Sequence, residues 1–258
     1  MSNPIERYAP GAAAALSAVY SARTALDIDL EDPRVENFAD QFGVDVSMID
    51  DDLRRRFLEA TGPTAFEVTQ AIYVDDYSPR IVVVSGEVLG GGSWSGEQGE
   101  PADLWPLLEE FMRQVARLDT LDPVLTELIR LRGARQHECR LCASRRSVAA
   151  LDAGADESTF DAVDAYAESD LPAATKAALA LTDSMIWTPF VMPRTVAEDA
   201  LEHLAPEQIV EVVLDVARNA ANKIAVALGA DAAAVTDGVE LFTTDADGNL
   251  SVVPHDPL

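Results

Sequence analysis

Apolar residues recur at three- and four-residue spacing through most of this chain, a period that dictates helix rather than sheet. Ile209, Val213, Val216, Ala220, Ile224 and Leu228 form one stripe, opened by Pro206 and closed by Gly229. Leu104, Leu108, Phe111, Val115 and Leu118 form a second, and Leu121, Val124, Leu128 and Leu131 continue after Asp119-Thr120. "LPAATKAALALTDSMIW" and "RTVAEDALEHL" predict two further helices. Nearer the N-terminus, "GAAAALSAVYSARTAL" and "IDDDLRRRFLEA" predict two more. "AFEVTQAIYVDDY" fits helix or strand, because its β-branched and aromatic residues oppose the preference of their neighbours. The expected fold class is all-α. The stripes carry more apolar face than one helical hairpin covers, so a homo-oligomer, dimer or trimer, is expected.

The segment "SGEVLGGGSWSGEQGEP" divides the chain. Its glycines and polar residues mark a linker, and no lysine-serine pair follows Gly90-Gly91-Gly92 to make a phosphate loop. The expected organisation is a helical region over residues 1–95, a domain over 96–240 and a tail over 241–258. The tail reads as a surface excursion with a turn at Asp247-Gly248. "DDLRRRFLEATGPTAFEVTQAIYV" faintly echoes "EQIVEVVLDVARNAANKIAVAL", as a worn duplication of one helical hairpin would.

Charge narrows the function classes. The chain holds 45 acidic against 19 basic residues, for a net charge of −26, which repels phosphate backbones and anionic lipid. Neither nucleic acid nor a membrane surface is an expected partner. "MSNPIERYAP" lacks the basic start and apolar run of a secretory signal, and no apolar stretch is long enough to span a bilayer. The expected location is cytoplasmic. There, a closely spaced cysteine pair more often does redox or metal chemistry than serves as a staple.

Both cysteines of the chain, Cys139 and Cys142, lie in "HECRLCASRR". A structural disulfide, half of a metal site, a working dithiol and two merely buried small residues all fit that pair. A helix running from near Glu138 to Gly154 would place Cys139, Cys142 and Arg146 on one face. The cysteines would sit in its first turn, where unpaired N–H groups and the helix dipole favour a thiolate, and Arg146 would add a positive charge. Glu127 would return over the dithiol on a helical hairpin to take and give protons, or else stand as a solvated helix glutamate. His137 reads either as an acid–base neighbour or as the third ligand of a metal site. A fourth ligand is missing, because His203 and His255 lack paired spacing, so neither metal nor cofactor is expected. The working dithiol is the leading reading.

The stretch "ELIRLRGARQHECRLCASRRSVAALDAG" resembles the alkylhydroperoxidase (AhpD)-like and carboxymuconolactone decarboxylase superfamily, in its cysteine-bearing branch. The pattern is a glutamate, eleven residues, then C-x-x-C-x-x-x-H, and Glu127, Cys139 and Cys142 fall on it. "AATKAALALTDSMIWTP" and "LAPEQIVEVVLDVARNAANKIAVALG" look like the family's following and closing helices. The likeness covers roughly residues 96–240, and residues 1–95 would be a degenerate second copy, as in double-length members. Such membership implies an all-helical fold, oligomers with sites near subunit interfaces, and thiol peroxidase or disulfide reductase activity. The substrate would be a small peroxide or disulfide, with an external dithiol as reductant. It also implies that peroxide attacks at Cys142, that Cys139 resolves, and that the glutamate and a histidine relay protons. This chain departs from the pattern in carrying Arg146 where the histidine belongs, and Leu141 between the cysteines where another is sometimes found. Arginine stays protonated and cannot shuttle a proton, which leaves His137 as the substitute. A non-redox lactone decarboxylase and a non-catalytic oligomeric scaffold are the alternatives. Trp94 and Trp187 read as an apolar entrance or as interface packing.

Overall fold

The computed structural model describes residues 3–28, 30–91 and 99–253. Helices dominate it, as the period requires. In the N-terminal part they are α1 (Pro4–Tyr8), α2 (Pro10–Ala25), α3 (Pro33–Val44), α4 (Asp51–Thr61) and α5 (Ala65–Leu89). Then come α6 (Leu104–Ala116), α7 (Pro123–Gln136), the single turn α8 (Arg140–Ala143), and the short α9 (Val148–Asp152) and α10 (Glu157–Asp161). The last four are α11 (Ala173–Trp187), α12 (Arg194–His203), α13 (Pro206–Ala220) and α14 (Lys223–Ala227). Aspartates start many of them: Asp32, Asp50, Asp103 and Asp122 each accept a backbone N–H of the first turn that would otherwise lack a partner. Part of the chain's acidity is therefore capping chemistry.

The segment that fitted helix or strand lies in α5, and its ambiguity has a physical cause. A helix with one wet face shows a clean stripe, whereas α5 is buried on every side, from Val68 and Tyr73 to Ile81 and Val88. It packs against α2, α12, α13 and α14. The N-terminal helices thus join the same core as the rest, since one cluster of buried apolar side chains runs from Ile5 to Ala227. The linker predicted after Ser85 begins only at Gly90, where α5 ends; residues 92–98 of that segment, Trp94 among them, lie outside the described residues.

The long C-terminal stripe is broken once, between α13 and α14, and stops as predicted at Gly229. There φ is +69°, and the Gly229 and Ala230 N–H groups close the helix end onto Val226 and Ala225. The tail lies at the surface with its turn at the expected place, and it adds strand structure. β2 (Glu240–Thr244) and β3 (Leu250–Val252) form a hairpin around Asp247-Gly248, and β2 pairs in parallel with β1 (Arg145–Ser147). Among the described residues no helix is long and apolar enough to cross a membrane.

Candidate functional site

The cysteines sit in a sharp corner after α7. Glu138 takes φ +50°, a left-handed conformation that usually falls to glycine. It lets the Cys139 N–H reach back to the Ala134 carbonyl (3.0 Å) and the Glu138 N–H to Arg135 (3.3 Å), the double closure of a Schellman motif. Asp231 then grips the next turn: its carboxylate accepts from the Arg140 N–H and guanidinium, and its carbonyl accepts from the Leu141 N–H. Held this way, Cys139 and Cys142 are joined in a disulfide, and the Cys142 N–H points at the Cys139 sulfur (3.2 Å).

The helix expected over 138–154 does not form as one piece. It stops at Ala143, because the carbonyls that would continue it are taken by side chains and by a strand. Arg130 donates to the carbonyls of Cys142 and Arg145, both at 2.8 Å. Arg146 donates to the carbonyls of Ala143 and Arg145, and the Glu240 N–H reaches the Ser144 carbonyl. Arg146 therefore belongs to β1 and does not extend a helical face shared with the thiols. Its guanidinium forks onto Glu157 (3.0 and 2.9 Å) over the Phe160 ring, where its role is to bind the 143–147 backbone to α10.

Glu127 stands in the N-terminal half of α7, is buried, and lines the same cavity as Cys142. Both its oxygens accept from Arg130 at 2.7 Å, and one also accepts from the Ser147 N–H (3.2 Å). This cavity of about 440 Å³ is lined by Cys142, Glu127 and Arg130 from α7 and α8 and by Arg218, Asn219 and Asn222 from α13 and its end. Leu141, Met112, Phe242 and Leu250 supply its apolar wall. Cys142 faces this space, whereas Cys139, at 2% exposure, lies behind it.

His137 faces elsewhere. It is buried outside the cavity, and its pKa is driven well below the ordinary 6.5 by burial first and then by the charges of Lys223 and Arg80. His137 thus stands apart from the cavity that Cys142 and Glu127 line. Among the described residues, no group of three or more His, Cys, Asp or Glu side chains is placed to hold a metal ion. Trp187 ends α11, its indole N–H on Gln136, and does not line the cavity.

Arg130, Arg218, Asn219 and Asn222 line this site and have no counterpart in the sequence reading. Arg130 stood one helical turn after Glu127, the i,i+3 spacing of an ion pair, and that was the available signal. Arg218 and the two asparagines come from α13 and its end, about ninety residues away, and no local pattern marks them.

Comparison with known proteins gives relatives without a described activity. The uncharacterized protein Rv2313c of Mycobacterium tuberculosis strain H37Rv is 39% identical over 225 residues, which is 83% of this chain and 78% of that protein. Uncharacterized protein MT2376 of M. tuberculosis strain CDC 1551 matches to the same extent. No family model and no solved structure matches the chain.

Proposed function

The chain belongs to the same family as those mycobacterial proteins, and for this member we propose thiol-dependent peroxide or disulfide reduction by Cys139 and Cys142. The observation that carries the reading is a cysteine pair close enough to bond, of which one sulfur faces a cavity beside a buried carboxylate. The resemblance of 127–146 to the AhpD-like pattern adds to it. In the peroxidase cycle the Cys142 thiolate attacks the terminal oxygen of a hydroperoxide. The O–O bond breaks, the sulfur becomes a sulfenic acid, and the alkoxide takes a proton and leaves as the alcohol. Cys139 then attacks the Cys142 sulfur, water departs, and the disulfide forms. An external dithiol, itself oxidised to a disulfide, returns both thiols. Glu127 is the proton carrier in this scheme, with Arg130 holding it in place; Arg146 and His137 take no part.

Thiol titration tests it. Fully reduced protein treated with cumene hydroperoxide should lose both thiols and two hydrogens of mass. Cys142→Ser should not consume peroxide, and Cys139→Ser should turn over once and stop at a sulfenic acid that dimedone traps. Unchanged thiols in the wild type would sink the redox reading and leave the lactone decarboxylase and scaffold readings. The proposal includes self-association, supported by Trp187, Phe190 and Val191 standing exposed at and just after the end of α11. A 27.7 kDa particle in light scattering would refute that part.

A further inference from the structure

The cavity in front of Cys142 differs in its charged side chains from the chain that encloses it. Acidic residues outnumber basic ones 45 to 19 overall. Among the described lining residues the balance inverts: Arg113, Arg130, Arg145 and Arg218 face only Glu109 and Glu127. Three of these arginines are engaged. Arg130 is held by Glu127 and two carbonyls, Arg145 by Glu240 at 2.7 Å, and Arg113 by Glu110 at 2.7 Å. Arg218 differs. It donates no hydrogen bond to any described residue, and its nearest carboxylate oxygen, on Asp215, is 3.8 Å away. Beside it, the Asn219 amide is also without a partner among the described residues, while the Asn222 amide N–H bonds the Asn219 carbonyl. A mostly buried guanidinium fork with unspent donors, set in a cavity wall, attracts a planar oxyanion. The remaining wall, Met112, Leu141, Phe242 and Leu250, is apolar and suits a hydrocarbon body.

We infer that this cavity seats a small organic carboxylate, with Arg218 and Asn219 holding the carboxylate and the apolar wall holding the rest. The corresponding substrate class is a hydroperoxide or disulfide that bears a carboxylate, and this second half rests on the dithiol reading above.

Binding and reaction are tested separately, so that their failures are distinguishable. Titration calorimetry of the oxidised protein uses benzoate and benzamide, neither of which is redox-active. Benzoate should bind the wild type, and Arg218→Gln should bind it at least about tenfold more weakly, the equivalent of one charge-assisted hydrogen bond. Benzamide should bind both weakly and equally. Arg218→Lys, which keeps the charge, should recover part of the loss. With the wild type alone, benzoate and not benzamide should protect reduced Cys142 from iodoacetamide. For the reaction, Arg218→Gln should lower the ratio of the reduced protein's rate with the dianionic disulfide dithiobis(nitrobenzoate) to its rate with neutral dithiodipyridine, a ratio that cancels any change in the thiol itself. Equal benzoate affinity in the wild type and Arg218→Gln, or absent protection, overturns the carboxylate site even if the thiols prove redox-active. Arg218-dependent benzoate binding with inert thiols supports the site and removes the redox reading instead.

Discussion

Asp215 is buried within α13, one turn before Arg218, and its Oδ2 has no hydrogen-bond partner. Burial pushes its pKa from 3.8 up to about 7, with Arg218 pulling down and the Glu211 charge adding to the rise. The folded protein therefore keeps a proton that the unfolded chain releases at lower pH. Stability is greatest below the unfolded value and is lost as pH rises from about 4 to about 7. Asp215→Asn is neutral throughout, so it gains on the wild type across that window. At 1.36 kcal/mol per pH unit the full gap is about 4 kcal/mol, of which about 2.5 kcal/mol falls between about pH 5 and pH 8. That range stays above the isoelectric point of 4.2, where self-association would intrude. The asparagine amide introduces a buried donor worth about 1–3 kcal/mol if unmet, but this shifts every pH equally and leaves the slope untouched. Titrations common to both proteins, His137 included, drop out of the difference. Urea denaturation followed by circular dichroism at several pH values measures it. Parallel stability curves for the two proteins would refute the reasoning.

Four further outcomes follow from named contacts. His137 is held neutral by burial and by Lys223 and Arg80, so its folded pKa lies below its unfolded one; His137→Gln should flatten the loss of stability as pH falls below 6.5, seen in the same denaturation series. Asp76 takes Arg80 and Lys223 together, the latter at 2.8 Å and 3% exposed, so Asp76→Ala strands two buried cations and should cost about 3–5 kcal/mol in urea unfolding. Glu138→Gly removes a left-handed L-residue from the cysteine corner and should raise stability by about 1 kcal/mol, measured as a higher urea midpoint. Arg146→His, which restores the family's residue, should lose about 2 kcal/mol of stability with its hydrogen bonds and should not raise peroxide turnover; faster turnover with the fold intact would refute the backbone-binding role.

Most of the long helices were legible in the sequence because their causes are local, although α3 was not among those expected. A 3.6-residue apolar period, a proline at the first turn and a glycine after the last act over a few neighbours, and the structure has helices at each of those stripes. So was the closeness of Cys139 and Cys142, since a three-residue separation leaves little room to be apart, and so was the return of Glu127 on a short hairpin. What followed Cys142 was not. The segment 140–152 has helical composition, yet its carbonyls are claimed by Arg130 and Arg146 and its strand by Glu240–Thr244, nearly a hundred residues later in the chain. Competition of that kind is decided only when the partners meet. The same holds for charge. Sequence counts an acidic chain, but the placement of Arg218 in the cavity that Cys142 lines, of Asp215 out of water and of His137 near Lys223 and Arg80 depends on which helices pack together. Local periodicity determines the helices; the electrostatics of a buried site are sums over distances that only the packed fold sets.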